Sequence, residues 1–338
     1  MLKTVMKSSG RILACVAVVA LLTGMGCINS LMFHPDFCRG GYGESTEGYV
    51  DIGTNGVKIA AIVLGPERGK KAILRCHGNA EDAANSLFAL RYLARRGFTV
   101  ACVDYPGYGL SDGSPDEEGC YRNVHRLYDW LIEKRGFKPE DIIVDGFSIG
   151  TGSATELAAT KPVGGLVLEA PFLSAPRVVT RIRILPIDPF PNLKMIKDVK
   201  CPVLIIHGTK DSVIPYRHGK ELFELANEPK RFISVEGANH NDLVFVMGAE
   251  RYLKEIEEFA RGKAGEAGAE AIIPLTNKRY VQPFANTVAD GMLSKLDGLN
   301  AGGDTYNITV NAAGDTGDDI ARAITRELRA YQLMRTGR

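Results

Sequence analysis

The string Gly146-Phe147-Ser148-Ile149-Gly150 is the feature that most constrains how this chain folds. Residues 142–144 before it are an apolar, β-branched run suited to a buried strand, and residues 150–160 after it read as a helix. The chain must therefore turn from strand to helix within a few residues. The flanking backbones then come too close for side chains, which is why glycine brackets the turn. Such a turn lifts the serine hydroxyl clear of a sheet and presents it at the N-terminus of the next helix, where negative charge is favoured. The chain has 37 glycines, so the pentapeptide alone can arise as a turn with an ordinary helix-capping serine. Its place between a strand and a helix is what marks Ser148 as a candidate nucleophile.

The remaining patterns build a sheet around that turn. Strand-type runs cover residues 57–64, 71–76, 98–103, 166–168, 203–206 and 232–235. Helical patterns cover 83–96, 216–226 and 250–260, and another opens at Asp116 and ends near Gly136. Strands alternating with helices imply an α/β protein with a mostly parallel sheet and helices on both faces. Residues 172–200 break the rhythm. Pro176, Pro186, Pro189 and Pro191 stand there among apolar residues, which excludes one regular helix and predicts a short irregular cap. Residues 263–271 are rich in Gly, Ala and Glu and read as a linker. Beyond them Tyr306, Ile308 and Val310 alternate with polar residues, and Asp318-Asp319 open a helix with Ile320, Ile324 and Leu328 on one face. Residues 272–338 are therefore expected to form a small β-α interaction module whose partner the sequence does not name.

A serine hydroxyl is a poor nucleophile until a base takes its proton. Of the six histidines, His218 and His240 follow the later acidic candidates, and His218 falls inside a helical pattern. His240 lies in the loop after the last strand, in Gly237-Ala238-Asn239-His240-Asn241-Asp242, and can return to the top of the sheet beside Ser148. The order serine, acid, histidine favours it as the base. The acid that orients the imidazole is read as Asp211, just after strand 203–206, with Glu169 on the preceding strand as the alternative. Asp242 is expected to cap the final helix. His77-Gly78-Asn79-Ala80 ends an early strand, where a loop can supply one backbone N–H of an oxyanion hole. Asn79 is the expected donor, with Ala80 as the alternative, and Ile149 supplies the second N–H.

The charge balance is even, 41 basic against 40 acidic residues, with no basic block, so no nucleic-acid partner is expected. No C-x-x-C pair or zinc spacing appears among the seven cysteines, and neither a metal nor an organic cofactor is expected. At the N-terminus Lys3, Lys7 and Arg11 precede an apolar run over residues 12–22, short for a bilayer but suited to a signal peptide over residues 1–26. The string ending in Gly24-Met25-Gly26-Cys27 resembles a bacterial lipoprotein signal, with Gly24 where leucine is usual. That resemblance implies lipidation of Cys27 and a membrane-anchored or periplasmic protein. An ordinary secretory signal or an uncleaved anchor is the alternative.

Taken together, His77-Gly78-Asn79-Ala80, Asp104-Tyr105-Pro106-Gly107-Tyr108-Gly109, Gly146-Phe147-Ser148-Ile149-Gly150, His207-Gly208 with Asp211, and His240-Asn241-Asp242 resemble the α/β-hydrolase-domain family. The likeness is nearest to the branch that includes eukaryotic protein depalmitoylases and bacterial relatives. That branch commonly has glycine where this chain has Asn239. The resemblance covers roughly Leu31 to Ala260, within the domain placed at residues 27–262. It implies the α/β-hydrolase fold and a serine hydrolase that cleaves esters or thioesters of a small-molecule or acylated substrate through an acyl-enzyme. Tyr306-Asn307-Ile308-Thr309-Val310-Asn311 and Asp318-Asp319-Ile320-Ala321-Arg322-Ala323-Ile324 resemble the C-terminal end of phage tail tape-measure proteins. Two other functions compete. A peptidase on the same triad is favoured by a large inserted cap or propeller, which the sequence lacks. A phage-tail structural role is favoured by the tail alone.

Overall fold

The computed structural model describes residues 29, 32–35, 42–180, 188–262 and 270–273. The expected signal peptide, Cys27, most of the linker and the tail from residue 274 onward lie outside them.

Nine strands among the described residues form one sheet: β1 Tyr49–Asp51, β2 Ala60–Leu64, β3 Ala72–Cys76, β4 Thr99–Val103, β5 Ile142–Phe147, β6 Gly165–Glu169, β7 Val203–Gly208, β8 Lys230–Val235 and β9 Glu270–Ile273. Their spatial order is β1-β2-β4-β3-β5-β6-β7-β8-β9. β1 and β2 pair antiparallel, as do β2 and β4, and every later pairing is parallel. Strands β2, β4 and β6 are buried at every position, as a sheet covered on both faces requires. The first expected strand is shortened, because Val57 is exposed and only residues from Ala60 enter the sheet. β1 was not evident from the pattern, since its three residues are only partly buried.

The helices are α1 Leu87–Arg95, α2 Glu117–Arg135, α3 Gly150–Thr160, α4 Ala175–Thr180, α5 Asn192–Met195, α6 Arg217–Leu225, α7 Leu243–Met247 and α8 Ala249–Ala260. α2 shows how local chemistry sets their ends. The Asp116 carboxylate accepts from the Gly119 N–H at its start, Glu117 and Glu118 follow, and Gly136 closes it with φ of 68°. Two apolar cores flank the sheet. One joins α2, α3 and α6 to residues such as Leu74, Val144 and Leu168. The other joins α1 and α8 to their strand neighbours Ile73, Ile143 and Val167, as the two-residue period of a strand dictates. The cap over residues 172–200 is irregular as expected, with α4 and α5 as its described helices. Asp242 stands before α7 rather than before the final helix, and its carboxylate accepts from the Asn239 N–H at 2.6 Å instead of capping a helix.

β9 straddles the boundary expected at residues 271/272. Ala271 and Ile272 pair with the consecutive residues Ile233 and Ser234 of β8. The end of the expected linker and the start of the expected tail therefore belong to the sheet as its edge strand. An edge strand has one neighbour and carries little of the core. A chain ending at Lys263 is expected to lose about 2–4 °C in melting temperature, the equivalent of ~1 kcal/mol. It should keep hydrolysing a short p-nitrophenyl ester at close to the full-length rate. Loss of most turnover would make the tail part of the enzyme.

Candidate active site

The turn between β5 and α3 has the geometry that its glycines demand. A Cβ at Gly150 would lie 2.2 Å from the Cys76 carbonyl oxygen, and one at Gly146 would lie 2.7 Å from the Ala154 Cβ. Ser148 between them adopts φ of 52°, the left-handed region that costs a non-glycine residue about 1–3 kcal/mol. Its neighbours hold it there. The Ser148 N–H donates to the Glu169 carbonyl at 3.0 Å, and the Thr151 hydroxyl donates to the Ser148 carbonyl at 2.7 Å.

Two loops bring the expected partners to the serine. The His240 Nε2 lies 2.9 Å from the Ser148 Oγ, and the His240 Nδ1 lies 2.8 Å from the Asp211 Oδ2. A carboxylate only accepts, so the imidazole proton sits on Nδ1 and leaves Nε2 to receive the serine proton. All three side chains are largely buried. Burial pushes the Asp211 carboxyl up. Hydrogen bonds from His207, His240 and the Ile214 N–H outweigh that and hold it well below the usual carboxylate range. Its Oδ1 also accepts from the N–H groups of Val213 and Ile214, at 2.9 and 2.7 Å. Asp211 is thus a fixed negative charge, able to orient the imidazole and stabilise it when protonated.

Glu169, the alternative acid, is occupied elsewhere. It accepts from Arg75 at 2.8 Å and from the Tyr252 hydroxyl at 2.7 Å. Arg75 also pairs with Asp145. Burial pushes the Asp145 carboxyl up; Arg75 opposes this, and the neighbouring Glu169 adds to it. His218 is no rival base. It is fully buried in α6, burial and the charge of Arg217 push it down to about 4, and neither ring nitrogen has a hydrogen-bond partner among the described residues.

The expected oxyanion donors sit on adjoining loops. Gly150, next to Ile149, packs against the backbone of Cys76 and His77, three and two residues before Asn79. No described residue accepts from the backbone N–H of Asn79 or of Ile149. Ala80, the other expected donor, gives its N–H to the Asn79 Oδ1 at 3.2 Å.

Two supporting residues had no assigned role in the sequence reading. The Phe147 ring stacks on the His240 ring with centroids 5.3 Å apart. The Asn239 Oδ1 accepts from the Ser212 N–H at 2.9 Å, the Ser212 hydroxyl at 2.9 Å and the His240 N–H at 2.8 Å. Asn239 thereby clips the acid loop to the histidine loop, a contact that glycine cannot make. Its departure from the usual glycine was the available signal.

Residues 71–186, which include the Asn79 loop and Ser148, match the family model for the alpha/beta hydrolase fold. The chain is 35% identical over 220 residues to alpha/beta hydrolase domain-containing protein 17B of Homo sapiens, covering 64% of this chain and 75% of that protein. The chain belongs to the alpha/beta hydrolase family. The Xenopus laevis protein of the same name is 37% identical over 193 residues, covering 56% of this chain and 66% of that protein. Among solved structures, the Pyrococcus furiosus esterase Pf2001 aligns with a TM-score of 0.54 at 21% identity. That alignment covers 64% of this chain and 92% of the esterase, a likeness of fold. The expected fold is thus the observed one. The tape-measure resemblance of the tail finds no support in these matches.

The two candidate acids separate in one experiment. Asp211→Asn should lower kcat roughly 10³–10⁴-fold, because the imidazole loses its orienting carboxylate. Glu169→Gln should lower the melting temperature and leave kcat within about threefold, since it disturbs only the buried Arg75 cluster. The reverse pattern in steady-state kinetics would put the acid on β6.

Proposed function

We propose that this alpha/beta hydrolase cleaves carboxylic esters or thioesters by acyl transfer from Ser148 to water. The observation that carries the proposal is the continuous relay from Asp211 through His240 to a serine held in a left-handed turn. The Ser148 Oγ attacks the acyl carbonyl as the His240 Nε2 takes its proton. Charge on the carbonyl oxygen is met by the N–H groups of Asn79 and Ile149, which are fixed before that charge develops. His240 then gives the proton to the departing alcohol or thiol. Water, deprotonated by the same nitrogen, releases the acid from the acyl-enzyme. No step requires a metal or an organic cofactor. Similarity to the protein 17B relatives and to the depalmitoylase-containing branch supports an acylated substrate, with long acyl thioesters as the class to test first.

The same reading extends to location. A lipidated Cys27 would hold the enzyme at a membrane. Among the described residues no helix is long and apolar enough to cross one, so the hold would rest on the N-terminus. A single acyl chain binds only marginally, so stable anchoring calls for more than one.

Ser148→Ala should abolish labelling by a fluorophosphonate probe and lower turnover across an acyl-chain-length panel of esters and thioesters by at least about 10³-fold. Undiminished labelling would rule out Ser148. Cells expressing the wild-type chain should carry it in the membrane fraction, and Cys27→Ser should shift it out and leave it unprocessed. A wild-type protein found wholly in the cytoplasm would overturn both lipidation and export.

A further inference from the structure

The side chain of Asn79, unlike its backbone N–H, is fully engaged in hydrogen bonds. It is spent on the N-terminal segment Met32–His34. Its Nδ2 donates to the Met32 carbonyl at 2.7 Å, and its Oδ1 accepts from the His34 N–H at 3.0 Å. The amide therefore grips both ends of a three-residue backbone segment, as one strand grips another. The Tyr108 hydroxyl closes the clasp. It donates to the Asn79 Oδ1 at 2.6 Å and accepts from the same His34 N–H at 3.0 Å.

The residue at the middle of the grip points into the protein. Phe33 is 3% exposed, and its ring meets Phe190 of the cap edge-on with centroids 6.1 Å apart. Phe190 in turn lies against α3, where a Cβ at Gly152 would come within 2.2 Å of its ring. Gly152 is three residues past Ile149, the second donor of the proposed oxyanion hole. One short segment thus touches the first donor through the Asn79 amide and braces the helix of the second through Phe33 and Phe190. A side-chain amide that merely fills space does not need this reciprocal pairing with residues more than 40 positions away.

We infer that Met32–His34 is a strap that positions the oxyanion hole, with the Asn79 and Tyr108 side chains as its clasp. The inference rests on the reading of Ser148 as nucleophile. An N–H donor stabilises an oxyanion only when its aim is fixed beforehand. Loosening the clasp leaves the Asn79 N–H present but poorly aimed. The loss then falls on the tetrahedral state and spares substrate binding.

The test uses the full chain with Asn79→Ala, Tyr108→Phe, Phe33→Ala and the conservative Phe33→Leu. The readouts are kcat and KM on a p-nitrophenyl ester and the inhibition constant of a trifluoromethyl ketone, which forms a tetrahedral oxyanion on the serine. Active sites are counted by fluorophosphonate titration, so that only folded enzyme enters kcat. Asn79→Ala and Phe33→Ala should lose roughly 10–100-fold in kcat, within the range for a weakened oxyanion donor. KM should stay within about threefold, the ketone should weaken by the same factor as kcat, and Phe33→Leu should recover most of the loss. Tyr108→Phe, which removes one oxygen atom, should lose about 3–10-fold and supplies the reading if Phe33→Ala does not fold. Unchanged kcat and ketone affinity in Asn79→Ala and Tyr108→Phe would overturn the strap. Full activity retained in Ser148→Ala would instead overturn the underlying hydrolase reading.

Discussion

Between the end of β5 and the start of α3 the backbone passes so near the end of β3 that no side chain fits at Gly150. That near-contact sets the geometry of the site. It forces a sharp turn at Ser148, which brings the largely buried hydroxyl to the His240 ring. It also brings the end of β3 and His77 alongside the first turn of α3. The left-handed serine is unfavourable by itself. Parallel strands on both sides of β5, the Glu169 carbonyl and the Thr151 hydroxyl keep it in place.

Below that turn the sheet carries a second polar centre with a different task. Arg75, Asp145, Glu169 and Tyr252 meet on the face covered by α8, across β3, β5 and β6. Such a cluster is costly to bury and costlier to break. Its arrangement fixes the mutual register of three central strands and anchors the last long helix to them. Burial, joined by the neighbouring Glu169, raises the Asp145 carboxyl against the opposing pull of Arg75. The acids of this chain therefore divide by environment. Asp211 is held ionised by donors, and Asp145 is held towards its neutral form by burial and a like charge.

Much of this was legible in the sequence because it rests on local rules. Glycines at 146 and 150 announce a close approach, apolar β-branched runs announce buried strands, and the order Ser148, Asp211, His240 announces which loops converge. The ambiguity between Asp211 and Glu169 could not be settled that way. Both follow apolar strands, and only the cross-strand neighbours Arg75 and Tyr252 reveal that Glu169 is already engaged. β1 is three residues long with no position fully buried, so it lacks the continuous apolar signature of the centre, and β9 is only four residues long beside a Gly- and Ala-rich stretch. The partners of Asn239 and Asn79 lie 27 and 45 residues away. No periodicity encodes a contact between two loops.

The strap has a consequence for how such an enzyme would meet its substrate. Seven residues separate Cys27 from His34, and a fully extended chain of that length reaches about 25 Å. A hydrogen bond from the Phe33 N–H to the Asn29 carbonyl coils the end of the path and shortens it further. With Cys27 lipidated as proposed, the tether would end at the Asn79 loop, beside the proposed oxyanion hole. The molecule could swivel on its leash but could not turn its serine far from the lipid headgroups. Encounter with an acyl chain would then be a search across a surface, with the serine kept within reach of that short tether.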